Sequence, residues 1–135
     1  MSFQYLIKPF SENAEQQATV NYIKTRHPNV LFTTGLLGIR LPKWALWLLN
    51  ALGYRSGTPD IHIYEPRRFY NGLFIEMKRP RRVYVENGVR KISPAGSLSK
   101  EQINFLAELN KRGYKAIVCF SYEEATRAID EYLRG

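Results

Sequence analysis

Two carboxylates and one lysine lie in two short segments that the sequence predicts as β-strands. The first segment, 57–64, contains Asp60, and the second, 73–78, contains Glu76 and Lys78. Both are rich in Ile, Phe and Tyr and are separated by turn-forming residues. Side chains alternate between the two faces of a strand, so Glu76 and Lys78 share one face. If the two strands pair, Asp60 can converge with them, and this combination indicates a divalent-metal site with a cation beside it.

These residue types fit magnesium chemistry on a phosphate. Mg²⁺ prefers oxygen ligands and usually keeps several waters while one or two carboxylates and a substrate phosphate hold it. Asp60 and Glu76 would supply the carboxylates, and the backbone carbonyl of Met77 could add a further oxygen. A metal at this point would activate a water and neutralise charge on the scissile phosphate. Lys78 would orient that water or stabilise the pentacovalent phosphate.

The balance of charges favours a polyanionic partner. The 135 residues include 20 Lys+Arg and 12 Asp+Glu, which give a net charge of +8 and a pI near 9.7. Such a charge favours nucleic acid over a membrane surface, because neutralising phosphates releases counterions. With 44% apolar and 24% charged residues, the composition is that of an ordinary globular protein. We expect residues 1–135 to form a single domain.

Cysteine and apolar content indicate the compartment. The one cysteine, Cys119, excludes a disulfide framework and is typical of a reducing cytoplasm. Residues 1–10 lack the apolar core of a secretory signal. The longest apolar stretch, 44–52, is well short of the about 20 residues that span a bilayer. We therefore expect a soluble cytoplasmic protein that has no membrane partner.

Several reaction classes are disfavoured by what the sequence lacks. It contains no Gly-rich phosphate loop and no pattern typical of a Ser- or Cys-based triad, and it has only two histidines. These absences disfavour nucleotide triphosphatases, acyl hydrolases and zinc enzymes.

The first predicted helix places an acidic residue on its apolar face. The helix runs from an N-cap at Ser11 to about Arg26 and ends before Pro28. At about 100° per residue, Glu15 lies on the apolar side, where an unpaired carboxylate is costly. Two interpretations remain open. Glu15 either reaches solvent or caps neighbouring backbone at the edge of the face, or it is a third acidic residue at the metal site.

A short helix that is apolar nearly all round is predicted next. A short strand at 30–34 and a loop at Gly35 and Gly38 precede it, Pro42 begins it, and Gly53 ends it. Such a helix must be covered on most sides. It either packs against its own domain or uses its two Trp and four Leu as a self-association surface.

A basic β-hairpin is predicted directly after the strand pair. Asn87-Gly88 is a strong signal for a two-residue turn and has alternating residues on both sides. The hairpin would project from beside the metal site and track a phosphate backbone, or its charges would form a solvated edge. The candidate nucleic-acid-binding residues are Arg79, Arg81, Arg82, Arg90 and Lys91.

The remaining segments predict a mixed α/β sheet. A capping box formed by Ser99 and Gln102 opens a helix at 99–112, a central strand follows at 114–120, and a last helix closes the chain. A strand, a helix and another strand in succession call for a parallel crossover around the 99–112 helix.

Pro59-Asp60, fifteen intervening residues and then Glu76-Met77-Lys78 resemble the PD-(D/E)xK nuclease pattern. The surrounding sequence is similar to the VRR-NUC branch of that superfamily over nearly the whole chain. The similar stretches are 57–60, 75–78, 98–102, 113–114, Glu15-Gln16 and the closing helix. The segments 41–52 and 79–95 depart from the family pattern.

The resemblance implies a restriction-endonuclease-like core, a mixed sheet flanked by helices, to which the basic hairpin is added. It implies metal-dependent cleavage of DNA phosphodiesters, with Asp60 and Glu76 on the metal, Lys78 in catalysis and Glu15 in a supporting acidic role. It also implies a site role for Gln102. The capping box with Ser99 needs the same side chain and would compete with that role.

Stand-alone members of the branch resemble branched-DNA nucleases that act as homodimers. The leading hypothesis is a Mg²⁺- or Mn²⁺-dependent endonuclease that resolves four-way junctions as a homodimer. A flap or nicking nuclease is an alternative. A non-catalytic nucleic-acid-binding module of the same fold is a second alternative, and a self-assembly protein built around the Trp/Leu helix is a third.

Overall fold

The structure is a computed structural model that describes residues 11–36 and 41–135. The expected loop at Gly38 and the stretch 1–10, in which no secretory signal is expected, lie outside these residues. Within them, helices and strands follow one another in the predicted order. They are α1 (Glu12–Arg26), β1 (Phe32–Thr34), α2 (Lys43–Ala51), β2 (Ile61–Ile63), β3 (Leu73–Met77), β4 (Arg82–Glu86), β5 (Val89–Ser93), α3 (Lys100–Lys111), β6 (Lys115–Cys119) and α4 (Tyr122–Arg134).

Four strands form a mixed sheet in the order β1-β2-β3-β6. The predicted strand pair is confirmed, because β2 and β3 pair antiparallel with Ile61 opposite Ile75. The predicted crossover is also confirmed, since β3 and β6 are parallel and α3 connects them. The expectation that the strand at 114–120 is central is wrong for the described residues, among which β6 lies at an edge of the sheet. The side-chain amide of Asn110 accepts from the N–H of Ala116 and donates to its carbonyl, so these two backbone groups are satisfied without a neighbouring strand.

The alternation of side chains on β3 divides the core into two layers. Leu73, Ile75 and Met77 pack against α1 and α4, while Phe74 packs with Leu106 of α3 on the opposite side. Every residue of β3 is buried. The strand that carries Glu76 is therefore enclosed on both faces.

The apolar helix α2 is not covered by the described part of the chain. None of its nine residues is buried, and Trp44 and Trp47 are 69% and 73% exposed. Pro42 is the N-cap, and Gly53 follows the helix with a φ of 110°. Of the two interpretations, packing against its own domain finds no support among these residues. No helix that the structure describes is long and apolar enough to cross a membrane.

The predicted hairpin is confirmed as a separate two-stranded sheet, β4-β5. Asn87 and Gly88 both have positive φ, 52° and 76°, as a two-residue type I′ turn requires. The cross-strand register shows which side chains share each face of this hairpin. One face carries Arg82, Tyr84 and Lys91, and the other carries Val83, Val85, Arg90 and Ile92.

Candidate active site

The turn that precedes β2 holds Asp60 in place from several sides. Its backbone carbonyl accepts a hydrogen bond from the N–H of Gly35 at 2.9 Å, and its Oδ2 accepts one from the N–H of Met77 at 2.8 Å. His62 Nε2 lies 2.7 Å from the carbonyl of Pro59. Gly57 has a φ of 92°, and a Cβ there would lie 2.4 Å from the carbonyl oxygen of Glu101, so the turn needs glycine. Asp60 is thus fixed by backbone contacts and is 8% exposed.

Glu76 is the most deeply buried acidic residue of the site, at 1% exposure. Its Oε1 accepts a hydrogen bond from Nε2 of Gln102 at 2.7 Å, while its Oε2 is buried and has no partner in the described structure. The Oε1 of Gln102 accepts from the N–H of Ser99 at 2.9 Å, which completes the capping box. The expectation that the two roles of Gln102 compete is therefore wrong. Its side-chain nitrogen donates to Glu76 and its side-chain oxygen accepts from Ser99, so one amide makes both contacts.

Lys78 lies just beyond the end of β3, and its amine is buried between carboxylates. Its Nζ is 3.9 Å from Oε1 of Glu76 and 3.9 Å from Oε2 of Glu12. Its backbone N–H donates to the carbonyl of Cys119 at 2.9 Å, so the ladder with β6 holds the residue in place. A Cβ on Gly96 would lie only 3.3 Å from Cδ of Lys78. The segment that leaves the hairpin thus closes over this side chain.

The third acidic residue of the cluster is Glu12. Ligand oxygens of Glu12, Asp60 and Glu76 all lie within 4.8 Å of one another. The expected placement of Glu15 is corrected, because its Oε2 accepts a hydrogen bond from the N–H of Tyr122 at 2.7 Å, at the start of α4. This is the capping interpretation of Glu15, one of the two that were open.

The sequence contains a signal for Glu12, but polar residues conceal it. The inner face of α1 is formed by Gln16, Thr19 and Ile23, and Glu12 continues that line one turn earlier. Because Gln16 and Thr19 are polar, the apolar residues alone predict an inner face that lies toward Glu15.

Burial, nearly complete for Asp60 and Glu76 and partial for Glu12, disfavours the ionised form of all three carboxyl groups. Burial, and then the adjacent Asp60 carboxylate, raises the pKa of Glu76 to about 9. Burial likewise raises the pKa of Asp60 and that of Glu12, although Lys78 opposes both shifts. A bound cation removes this repulsion. The donor set of three carboxylates, including the unpartnered Oε2 of Glu76, fits a hard divalent cation such as Mg²⁺ or Mn²⁺.

The base of the β4-β5 hairpin adjoins the acidic cluster. Arg79 follows Lys78 directly, its Nε donates to the carbonyl of Pro94 at 3.0 Å, and its own carbonyl accepts from the N–H of Gly96. Arg82 lies over the ring of Tyr84, and Lys91 is 3.6 Å from Glu86. Arg79, Arg81, Arg90 and Lys91 are exposed and Arg82 is half-buried.

Comparison with known proteins identifies the family and the fold. The family model described as the VRR-NUC domain matches residues 7–123. A solved structure described as a VRR_NUC domain protein is similar over 95% of this chain and 92% of that chain, with a TM-score of 0.64 and 22% identity. This likeness shows the fold, and the mixed sheet flanked by helices is consistent with the expected restriction-endonuclease-like core. None of the curated proteins matches the sequence.

Proposed function

Because this chain belongs to the VRR-NUC domain family, a family of nuclease-type domains, we propose that it is a metal-dependent DNA endonuclease acting on branched substrates. The observation that carries the proposal is the convergence of Glu12, Asp60 and Glu76 within 4.8 Å, with Lys78 3.9 Å from two of them. A protein that only binds DNA has no use for buried carboxylates facing a phosphate.

The metal site would be formed by Asp60, Glu76 and Glu12, with the backbone carbonyl of Met77 as a further ligand. Glu12 takes the role that the family resemblance assigns to Glu15. When bound, Mg²⁺ or Mn²⁺ would supply positive charge beside the scissile phosphate and lower the pKa of a water. The Met77 N–H holds one oxygen of Asp60, which leaves the other for a ligand.

Lys78 and Gln102 complete the proposed chemistry. The Lys78 amine lies at the carboxylates, where it would orient the attacking water and stabilise the negative charge that develops on the phosphate. Gln102 fixes Oε1 of Glu76 and thereby directs Oε2 as a ligand. The buried, free Cys119 supports action in a reducing cytoplasm.

DNA would approach along the hairpin. Arg79, Arg81, Arg82, Arg90 and Lys91 lie on a projection whose base adjoins Lys78, so cations there can track the backbone of a strand cut at the acidic cluster. Since Lys91 pairs with Glu86 and Arg90 lies on the opposite face, we expect the two faces of the hairpin to contribute unequally.

A homodimer that resolves four-way junctions is the specific form we propose. Symmetric cleavage of such a junction needs two active sites related by a two-fold axis. The exposed Trp44, Trp47 and Leu52 on and beside α2 supply the aromatic and aliphatic surface typical of the centre of an interface.

The proposal is tested by a cleavage panel of single-stranded, duplex, flap and four-way DNA, with Mg²⁺, with Mn²⁺ and with a chelator. We expect metal-dependent cleavage that is fastest on the four-way substrate. Glu76→Gln should lower the rate by at least about a hundredfold, whereas the exposed Glu101→Gln should leave it within about twofold. Tight DNA binding without cleavage under every condition would overturn the proposal, and cleavage confined to flaps or single nicks would overturn its four-way form.

A further inference from the structure

A strained, exposed turn lies at the end of the sheet opposite the acidic cluster. Between β2 and β3, the Arg67 N–H donates to the Tyr70 carbonyl at 3.1 Å and the Tyr70 N–H donates to the Arg67 carbonyl at 2.9 Å. Arg68 has a φ of 51°, a conformation that is unfavourable for a residue with a Cβ. Phe69 is 93% exposed. We call residues 67–70 the Phe69 turn.

The surrounding structure holds the Phe69 turn rigidly. The Tyr132 hydroxyl donates to the carbonyl of Glu65 at 2.6 Å, and the Asn71 N–H donates to the carbonyl of Gly113 at 2.8 Å. Arg67 donates to the carbonyls of Pro66 and Leu133. Because both flanks are anchored, binding at Phe69 should cost less backbone entropy than it would on a free loop.

A crevice with more basic than acidic residues lies beside Tyr70, the last residue of the Phe69 turn. It is lined by Arg67, Arg68 and Lys115 together with Glu131 and Tyr132, and Lys115 lies over the Tyr70 ring at 5.8 Å. An adjoining open cavity of about 390 Å³ is lined by Arg67 and Arg134.

Most carboxylates near the turn already have partners. Glu65 pairs with Arg67, and Asp130 accepts from the Tyr22 hydroxyl and faces His27. Glu131, which lines the crevice, is outnumbered by Arg67, Arg68 and Lys115. The local surface is therefore aromatic with a net positive charge, which favours an anionic partner that also offers flat faces for stacking.

We infer that the Phe69 turn is a second DNA-contacting surface, on which Phe69 stacks against the exposed face of a base at the opened branch of the substrate. Aromatic side chains stack on base faces that no neighbouring base covers, and an opened branch exposes such faces whereas a continuous duplex does not. Arg68, Lys115 and Arg134 would contact the adjacent phosphates.

The spacing along the sheet permits one DNA arm to reach both surfaces. Glu76 and Lys78 lie at one end of β3 and the Phe69 turn precedes the other, so the length of β3, about 13 Å from Leu73 to Met77, lies between them. That length corresponds to about four base-pair steps. The inference rests on the proposed function, because it takes branched DNA as the ligand of both ends of the sheet.

The test measures binding without cleavage, in chelator, to a four-way junction and to a paired duplex of equal length. A fluorescent base analogue placed at the branch reports stacking. We expect Phe69→Ala to weaken junction binding about tenfold and duplex binding less than twofold. Phe69→Trp should restore binding and quench the analogue. Leu31→Ala, which alters another exposed apolar side chain that cannot stack, should match the unaltered protein.

Equal junction binding by the unaltered protein and Phe69→Ala would overturn the inference, as would an equal loss on junction and duplex. Phe69-dependent binding to anionic vesicles, without Phe69-dependent DNA binding, would also overturn it. Since the assay needs no metal, Phe69-dependent junction binding by a chain that never cleaves DNA would refute the proposed nuclease and leave this surface standing. Metal-dependent cleavage that does not depend on Phe69 would support the proposed nuclease and refute this surface.

Discussion

The acidic end of the central sheet differs from α2 and the β4-β5 hairpin in how far its side chains are buried. Asp60, Glu76 and Lys78 are at most 8% exposed and are held by contacts from several elements. In α2 and the hairpin, by contrast, Trp47 and Val85 are 73% and 72% exposed. The described residues thus bury the side chains of the site, whereas α2 and the hairpin present surfaces that binding would cover.

The largest effect is expected from a comparison of two acidic residues of α1, only one of which belongs to the acidic cluster. Glu12→Gln removes a carboxylate from the cluster and should lower metal-dependent cleavage about a hundredfold. Glu15→Gln alters the group that caps the first N–H of α4, so it should cost about 1 kcal/mol of unfolding free energy and leave the rate within about twofold. Cleavage rates and denaturant unfolding distinguish the two. A reversed ranking would return Glu15 to the metal site.

A second test concerns the exposed Trp residues of α2. Trp44→Glu combined with Trp47→Glu should weaken self-association at least about a hundredfold, because buried Trp residues dominate interface energies. The unfolding free energy of the monomer should change by less than about 1 kcal/mol, since both side chains are exposed in one chain. Sedimentation equilibrium measures the association. Val85→Glu, an equally exposed site on the hairpin, is the control, and a monomer at all concentrations would remove the support for a dimer.

The two roles of Gln102 can be separated. Gln102→Ala removes both the capping box and the hydrogen bond to Glu76, whereas Ser99→Ala removes the cap alone. We expect similar losses of about 1 kcal/mol in stability from the cap, but a roughly tenfold loss of cleavage only for Gln102→Ala. If Ser99→Ala slowed cleavage as much, the contact with Glu76 would have no role beyond helix stability.

A pH dependence of stability is expected from the same acidic cluster. Glu76 has a pKa of about 9 when folded and 4.5 as a free side chain, so the folded protein holds a proton that the unfolded chain releases. The resulting stabilisation is present below pH 4.5 and is lost as pH rises toward 9. In chelator, the melting temperature should fall by about 5 °C or more over this range, beyond the change seen for Glu76→Gln. Mg²⁺ should diminish the fall, and parallel curves for the two proteins would contradict the assigned pKa.

Local signals predicted the elements well. Ser11 and Ser99 mark helix starts, Asn87-Gly88 marks the hairpin turn, and all three are confirmed. These features depend on residues close in the chain, whose preferences survive in almost any surroundings. The edge position of β6 could not be predicted from the sequence. The Asn110 side chain bonds backbone groups of β6 on its outer side, and nothing local distinguishes this asparagine from an ordinary surface residue.

The sequence by itself determined that Asp60, Glu76 and Lys78 meet, because strand periodicity and a short connection leave little choice of face or partner. Only the tertiary structure decided that Glu12 joins them rather than Glu15, since that depends on how α1 is rotated against the sheet and α4. The same holds for Gln102, whose two hydrogen bonds require α3 to begin within reach of β3. Periodicity assigns a residue to a face, but convergence between distant elements is set by packing.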